Sequence, residues 1–409
     1  MLQPRSRGLV LLLGALTGLT ALSIDMSLPA LPTLAAVFAT SVDEAALTLS
    51  TFLAGYSVSQ LFYGPAADRY GRRLPLIAGL ILFTLGGVGC AASGSMGQLI
   101  ACRLVQGLGA CAGPILARAV VRDLYERRRG VQILSYMTLV MSVAPLLAPI
   151  VGGYLLRLHW RTIFALLAAV GLIVLAATWL GLPESIPERN RYAMRPGHLL
   201  RNVIDFFRRP ACVGHALVVS FVFCGLFAYI SGSPFVLIEV FGVPSDRYGY
   251  LFGLSAFALM AGAIANARLV HRVRAAVLLR LGIASILLGG ALILLCAVLR
   301  LGGIAGVVGP MLLFVLGMGV VMPNAVAAAM EPVPHMAGFA SSLIGCLQTA
   351  GGSIVGYLLG LLYDHTAVPM AVAIAASAAA AALAYFALAS RSGSGPHPRL
   401  QNVAGESSC

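Results

Sequence analysis

Long apolar runs separated by short polar gaps occupy almost the whole chain. Runs of roughly 20 residues, the length that crosses a hydrocarbon layer, predict helices near 9–30, 46–66, 74–93, 98–121, 131–156, 161–182, 211–231, 248–267, 275–298, 301–325, 337–362 and 366–389. Twelve such helices make an all-α membrane protein the expected fold class. The longest polar stretch, 183–210, separates the sixth run from the seventh. This spacing predicts a six-helix bundle over 1–182, a basic linker over 183–210, a second six-helix bundle over 211–389 and a disordered tail over 390–409 rich in Ser, Gly and Pro.

Inside the linker, Leu199, Leu200, Val203, Ile204, Phe206 and Phe207 alternate with Arg201, Asp205 and Arg208 at helical spacing. The pattern fits an amphipathic helix on the inner leaflet, and equally a solvated linker with some helix. After the second run comes Gly64-Pro65-Ala66-Ala67-Asp68-Arg69-Tyr70-Gly71-Arg72-Arg73, a tight charged hinge. Its echo after the eighth run, Asn266-Ala267-Arg268-Leu269-Val270-His271-Arg272-Val273-Arg274, lacks the aspartate. Two equivalent halves are implied.

Composition agrees with the pattern. The chain is 59% hydrophobic and 10% charged, whereas about a quarter of a soluble domain is charged. A net charge of +13 would point to nucleic acid in a soluble protein. Here all 27 basic residues are arginines, and with the N-terminus inside all but five lie in or beside cytoplasmic segments. Arg157, Arg161, Arg247 and Arg300 fall outside and Arg103 falls within a run. That is the positive-inside bias. It places both termini in the cytoplasm and removes the need for a nucleic-acid partner. Arg5 and Arg7 precede the first run as in a signal peptide, but no small-residue cleavage site closes it, so an uncleaved first helix is expected.

Several function classes drop out. The eight cysteines have no Cys-x-x-Cys spacing, which argues against a metal site or disulfide framework. Without lysine there is no phosphate-cradling Gly-x-x-x-x-Gly-Lys run, so the chain is not an ATP-driven pump. The seven histidines are scattered, which leaves no catalytic cluster for a membrane enzyme. A sensor would need a soluble output domain, and no segment is long enough.

The remaining chemistry lies in a few polar residues. Asp25, late in the first run, is the acid placed most clearly within a helix. Burial favours its protonated form and a nearby arginine its ionised form, so it can load and release a proton; otherwise it caps the chain before Pro29. Arg103, in Leu99–Cys111 with Gln106, Gly107, Gly109 and Ala110, is a charge inside a span, at a cost of roughly 2.5 to 3.5 kcal/mol. It either serves a function with a partner or snorkels to the outer interface. Asp68 and Arg72, four apart, share a helical face. Pro145, Pro149, Gly152 and Gly153 in the fifth run permit a bend or close approach. Phe221, Phe223, Phe227, Tyr229 and Phe235 crowd the seventh run and either pack, face lipid or line a cavity. Glu239, Asp246 and Arg247 fall at outer ends of runs.

The hinge resembles the signature of the major facilitator superfamily between its second and third helices, with Ala66 in place of leucine and Arg73 in place of lysine. Arg103-x-x-Gln106-Gly107-x-Gly109-Ala110 resembles its fourth-helix motif. The Ser142–Gly153 stretch resembles the antiporter motif of its fifth helix, with Ala144 and Ala148 replacing glycines. Those alanine-proline pairs, together with Asp25-Met26-x-Leu28-Pro29-Ala30-Leu31-Pro32, Arg118-Ala119-Val120-Val121-Arg122-Asp123-Leu124-Tyr125 and Ser231-Gly232-Ser233-Pro234-Phe235, are similar to the bicyclomycin-resistance (Bcr/CflA) group of drug exporters. The resemblance implies a twelve-helix monomer in a bacterial inner membrane. It would export bicyclomycin, chloramphenicol-type or sulfonamide-like drugs in exchange for protons, with no cofactor beyond the gradient. An exporter of an endogenous metabolite on the same fold fits equally. Asp25 and Arg103 would couple protons, and Gln106, Phe227 and Phe235 would line the drug cavity. Asp68, Arg72 and Asp123 would form a gate, unless they are a plain surface cluster. Gly107, Pro145, Pro149, Gly152 and Gly153 would serve helix packing.

Overall fold

The structure, a computed structural model, describes residues 6–186 and 196–389. The expected tail, 390–409, and the middle of the basic linker, 187–195, lie outside the described residues, as does Arg5. Every regular element described is helical.

The first crossing is broken. Helix α1 (Arg7–Asp25) stops, a 3-10 turn covers Leu28–Ala30, and α2 (Leu31–Val37) resumes. Pro29 and Pro32 lack the N–H that would bond back four residues, so the helix cannot run through them. Asp25 thereby ends α1 instead of sitting inside a continuous span. The second crossing, α3 (Val42–Tyr70), is longer than its apolar run. Its 29 residues measure about 43 Å at 1.5 Å per residue. The hinge expected over 64–73 is therefore mostly helix, and the chain reverses only at Gly71 and Arg72 before α4 (Arg73–Ala92) begins. Helix formation wins there because Ala66, Ala67 and Asp68 continue the α3 ladder, and Gly71 alone takes a positive φ, of 97°.

The fourth crossing divides into α5 (Met96–Ala110) and α6 (Ala112–Leu124). Pro114 has no N–H for the carbonyl of Ala110, and the hydroxyl of Thr20 on α1 donates to that oxygen instead, at 3.1 Å. Then follow α7 (Arg127–Leu156), with Pro145 and Pro149 inside it, and α8 (Trp160–Gly181). Helix α9 (Pro196–Phe207) lies in the linker and leaves Leu200, Ile204 and Phe207 exposed along one face while burying Phe206. The second half comprises α10 (Pro210–Pro234) with a π-helical extension over Phe235–Val240, α11 (Ser245–Leu269), α12 (Ala275–Val298), α13 (Gly303–Met330), α14 (Ala337–Leu361) and α15 (Val368–Ala384).

Among the described residues, eleven helical segments are long and apolar enough to cross a membrane. Helix α3 adds the twelfth by length. It is less apolar because Thr48, Ser50, Ser57, Ser59 and Gln60 are buried along it and Asp43, Glu44, Asp68 and Arg69 mark its ends.

Helices α1 and α3–α8 pack mainly on one another, as do α10–α15. The two groups meet where α3 lies along α14 and α7 along α11. On the first seam Ser353 donates to the carbonyl of Ser50 at 2.8 Å and Ser57 to that of Cys346 at 2.9 Å. The second seam is closed at the end remote from the hinge. There Gly153 approaches the Ser245 carbonyl, the Tyr154 and Tyr250 hydroxyls meet at 3.2 Å, and Arg157 pairs with Asp246. At the hinge end α14 stands apart from α3 and α6 around a cavity of about 310 Å³.

Small residues set these distances. A Cβ on Gly107 would collide with the carbonyl oxygen of Phe52, and one on Gly152 with that of Met26. Gly107→Ala is therefore expected to lower stability by about 1–3 kcal/mol as an overpacked contact, whereas Gly309→Ala, with nothing within 4 Å of its added carbon, should not. Thermal unfolding of the purified protein in detergent compares the two; equal melting of Gly107→Ala and wild type would show that the helices do not need this approach.

Candidate functional site

Arg103 is held in the interior rather than drawn to an interface: it is 1% exposed. Helix α5 packs against α3 and α4, and the guanidinium spreads its donors over α1 and α3. Nε donates to the Thr48 carbonyl at 3.3 Å, and Nη1 donates to the Ser23 carbonyl and hydroxyl, both at 3.2 Å, and to Oε1 of Gln106 at 2.8 Å. Nη2 reaches the Ser27 hydroxyl at 3.5 Å. The rings of Phe52 and Phe164 cover it at 4.4 and 5.8 Å. Among the described residues no carboxylate pairs with it. Neutral dipoles and aromatic faces stabilise the charge.

Asp25 belongs to the same helix end but to another face. At 3.6 residues per turn, Ser23 and Ser27 share one side while Asp25 lies about 200° round from Ser23. Asp25 and Arg103, both expected to couple protons, are not paired with each other here, because Ser23 and Ser27 take the arginine. The carboxylate is 5% exposed and has no hydrogen bond or ion pair among the described residues. It lies within electrostatic reach of Tyr248 on α11, whose hydroxyl meets Ser233 of α10 at 2.9 Å. Ser231, two positions earlier and so on the other side of α10, keeps a buried hydroxyl with no partner among the described residues. Asp25 of the first half thus lies near the Tyr248–Ser233 hydroxyl pair of the second.

The three residues expected to line a drug cavity do other work. Gln106 is fully buried with its carboxamide oxygen committed to Arg103, and Gly86 packs directly on its backbone. Phe227 is buried and stacked on Phe223, centroids 6.1 Å apart, with Gly356 of α14 against its ring. Phe235 is buried beside Tyr363 at 5.6 Å, at the end remote from the hinge. All three are thus buried in this arrangement, and the amide Nε2 of Gln106 is left without a hydrogen-bond partner among the described residues. Pro145 and Pro149 sit inside an unbroken α7; Gly152 touches the chain just after Asp25, and Gly153 touches α11.

Asp68, Arg72 and Asp123 come together at the hinge. Arg72, 4% exposed, donates from Nε to Asp123 at 2.8 Å and from Nη1 to Asp68 at 2.5 Å. Burial works against its charge, but the hydrogen bonds it donates to Asp123 and Asp68, and the nearness of their negative charges, outweigh that and hold its pKa above the ordinary arginine value. Glu184, just beyond α8, accepts the backbone N–H of Arg72 at 2.8 Å and that of Arg73 at 3.4 Å. A side chain at position 71 would strike this carboxylate as well as strain the positive φ. Sequence reasoning passed over Glu184, Ser23, Ser27 and Thr48. The only signal for Glu184 is an isolated acid directly after a span, and the other three are hydroxyls of a kind common in membrane helices. The whole network lies within the first half, joining α3, α6 and the end of α8. It does not bridge the halves; the half-exposed Asp68 faces the cavity across from the start of α14.

The residue pattern that defines the Major Facilitator Superfamily matches residues 13–356. The chain belongs to the Major Facilitator Superfamily. It is 35% identical over 368 residues to a bicyclomycin resistance protein homolog of Haemophilus influenzae, covering 88% of this chain and 91% of that one. It is 29% identical to a chloramphenicol resistance protein of Pseudomonas aeruginosa, covering 89% of this chain and 86% of the relative. These relatives place it in the Bcr/CflA group of the superfamily. Among solved structures, the xylose transporter XylE from E. coli in a partially occluded inward open conformation superposes with a TM-score of 0.70. That match covers 93% of this chain and 97% of the other at 15% identity, which shows a shared fold. This superfamily member is a multi-pass membrane transporter and not an enzyme.

Two substitutions separate holding from switching in this transporter. Solvent screening keeps the Arg72–Asp68 bond to about 1 kcal/mol, while neutralising the buried partner Asp123 leaves the buried Arg72 with only the half-exposed Asp68, at a cost of about 3 kcal/mol. Asp123→Asn should therefore lower the melting temperature markedly, and Asp68→Asn should leave melting and expression near wild type yet cripple transport. Near-normal transport by Asp68→Asn would reduce the cluster to surface charge. Arg103→Lys keeps the charge but loses the planar fork that reaches Ser23, Gln106 and Thr48 together. It should insert normally and transport poorly, and a fully active lysine variant would show that a point charge suffices.

Proposed function

We propose that the chain is a proton-coupled antiporter that exports small, largely apolar drugs across the bacterial inner membrane. The observation that carries this reading is Asp25, a buried carboxylate with no partner among the described residues, set at a helix break and facing the opposite half. The names of its relatives, bicyclomycin and chloramphenicol resistance proteins, indicate the class of cargo. The arginine bias puts the hinge end and both termini in the cytoplasm.

In that orientation the halves touch on the outside and the cavity at the hinge opens to the cytoplasm. Its walls carry Arg118 and Arg122 beside the Asp68–Arg72 pair, with Phe339 and Ser341 of α14 opposite. A net positive mouth admits neutral and weakly acidic compounds more readily than cations. An ionised carboxylate in a dry site is costly until it receives a proton or a hydrogen-bond donor. Drug and proton therefore compete for Asp25. Drug binding from the cytoplasm displaces the proton, rocking of the halves about the α3–α14 and α7–α11 seams presents the site outside, and a proton from outside releases the drug. The Asp68 latch sets which face is open. The unit that works is the monomer, with the two six-helix bundles as its moving parts and the proton gradient as its only energy source.

The sign of the linkage follows. Because the ionised form binds drug, drug binding expels a proton and affinity rises with pH through the titration of Asp25. Asp25→Asn should abolish that pH dependence and end accumulation against a gradient, while passive exchange survives. Drug-induced proton release from detergent-purified protein, wild type beside Asp25→Asn, tests this. Equal release from both would move the proton site elsewhere, to Glu239 first.

A further inference from the structure

A second cavity, of about 500 Å³, lies in the second half alone, at the end remote from the hinge. It is enclosed by the end of the α10 extension, the end of α12, the start of α13 and the α14–α15 connection. No residue of the first half borders it, so it is separate from the path between the halves. Its size is that of a small-molecule site, about 300–1,000 Å³.

The polar side chains that line it are Arg300, His365 and Thr366, with the thiol of Cys296. Arg300 and His365 have left-handed backbones, with φ of 54° and 60°, and among the described residues only Ala39 joins them as a non-glycine with positive φ. Strained residues persist where the surrounding structure holds them for a purpose. The neighbouring carboxylates are engaged: Asp364 accepts the N–H and hydroxyl of Thr366 at 3.0 and 2.6 Å, and Glu239 accepts the Tyr363 hydroxyl at 3.3 Å. The guanidinium of Arg300 has no hydrogen bond or ion pair among the described residues. It therefore presents an unpaired fork of donors that can bind an anion bidentately at the mouth of the chamber.

The position of the rim selects the anion. Val298, Leu299 and Leu301 around Arg300 are 56, 56 and 52% exposed. Three large apolar side chains facing outward at a helix end place Arg300 where hydrocarbon gives way to headgroups. Behind it the walls are Val240, Phe241 and Val307.

We infer that this cavity binds an anionic phospholipid, its phosphate on Arg300 beside His365 and part of one acyl chain among Val240, Phe241 and Val307. A lipid there would brace the ends of α12 and α15 against the α10 extension, on the side of the second half away from α7. The inference is independent of the cargo and of proton coupling.

The test titrates delipidated, detergent-purified full-length protein with phosphatidylglycerol and reads the tightest-bound lipid by native mass spectrometry. Parallel arms use glycerol 3-phosphate, the headgroup without a chain. Wild type should retain one phosphatidylglycerol and no glycerol 3-phosphate. Arg300→Ala should weaken lipid retention roughly tenfold, the loss of a charge-assisted hydrogen bond. Val240→Trp, at a position 39% exposed, should do so by filling the chamber with Arg300 still present. Unchanged melting of the lipid-free variants controls for folding. Wild-type lipid retention by either variant overturns the proposal, and so does binding of glycerol 3-phosphate as tight as that of the lipid, which would make this a site for soluble anions.

Discussion

A guanidinium buried among membrane helices with no carboxylate beside it has to be satisfied by dipoles, and much of the first half is arranged around that requirement. Arg103 has five N–H donors, and it uses them on two hydroxyls, two carbonyls and a carboxamide drawn from α1, α3 and α5. Each acceptor must come close, which explains why the helices around it meet through glycine: Gly107 against Phe52, Gly86 against Gln106. Because Ser23 and Ser27 turn toward the arginine, the helical period turns Asp25 away from it. One interaction thus both anchors three helices and leaves the acid free to face the other half.

Prolines do complementary work. Pro29 and Pro32 end α1 at Asp25, and Pro114 breaks the fourth crossing and releases a carbonyl to which the Thr20 hydroxyl donates. In lipid a freed carbonyl must find a donor within the protein. The break in one helix is therefore also a bond to another. The two halves treat their hinges differently. In the first, Arg72 is clasped by Asp68, Asp123 and, through its backbone, Glu184; in the second, Asn266 accepts a hydrogen bond from Asn324 at 2.6 Å. A neutral amide pair does not respond to a passing charge, whereas a half-exposed carboxylate does. The half with the ion network is the one suited to sensing its surroundings.

The periodic apolar runs made the helix count and most helix ends readable in advance, since twelve crossings of an apolar layer leave little else for such a chain to do. The hinge spacing brought Asp68 and Arg72 together on paper, and a shared helical face is a local property. Glu184 was illegible because its partner is a backbone N–H 112 residues away in sequence. The burial of Gln106, Phe227 and Phe235 was illegible for the same reason: whether a polar or aromatic side chain is covered depends on what packs against it, and no local pattern records that.

The sequence by itself determined that this is an all-helical membrane protein of the Major Facilitator Superfamily, because hydrophobic period, arginine asymmetry and the motif residues are all local features. Only the tertiary structure decided that Arg103 and Asp25 are not partners, that the charged cluster closes within one half, and that Arg300 and His365 share a cavity although 65 positions apart. Those outcomes depend on the relative rotation and spacing of helices distant in the chain. These are settled by side chains and backbones competing for the same space and the same few hydrogen-bond partners in a medium that supplies none.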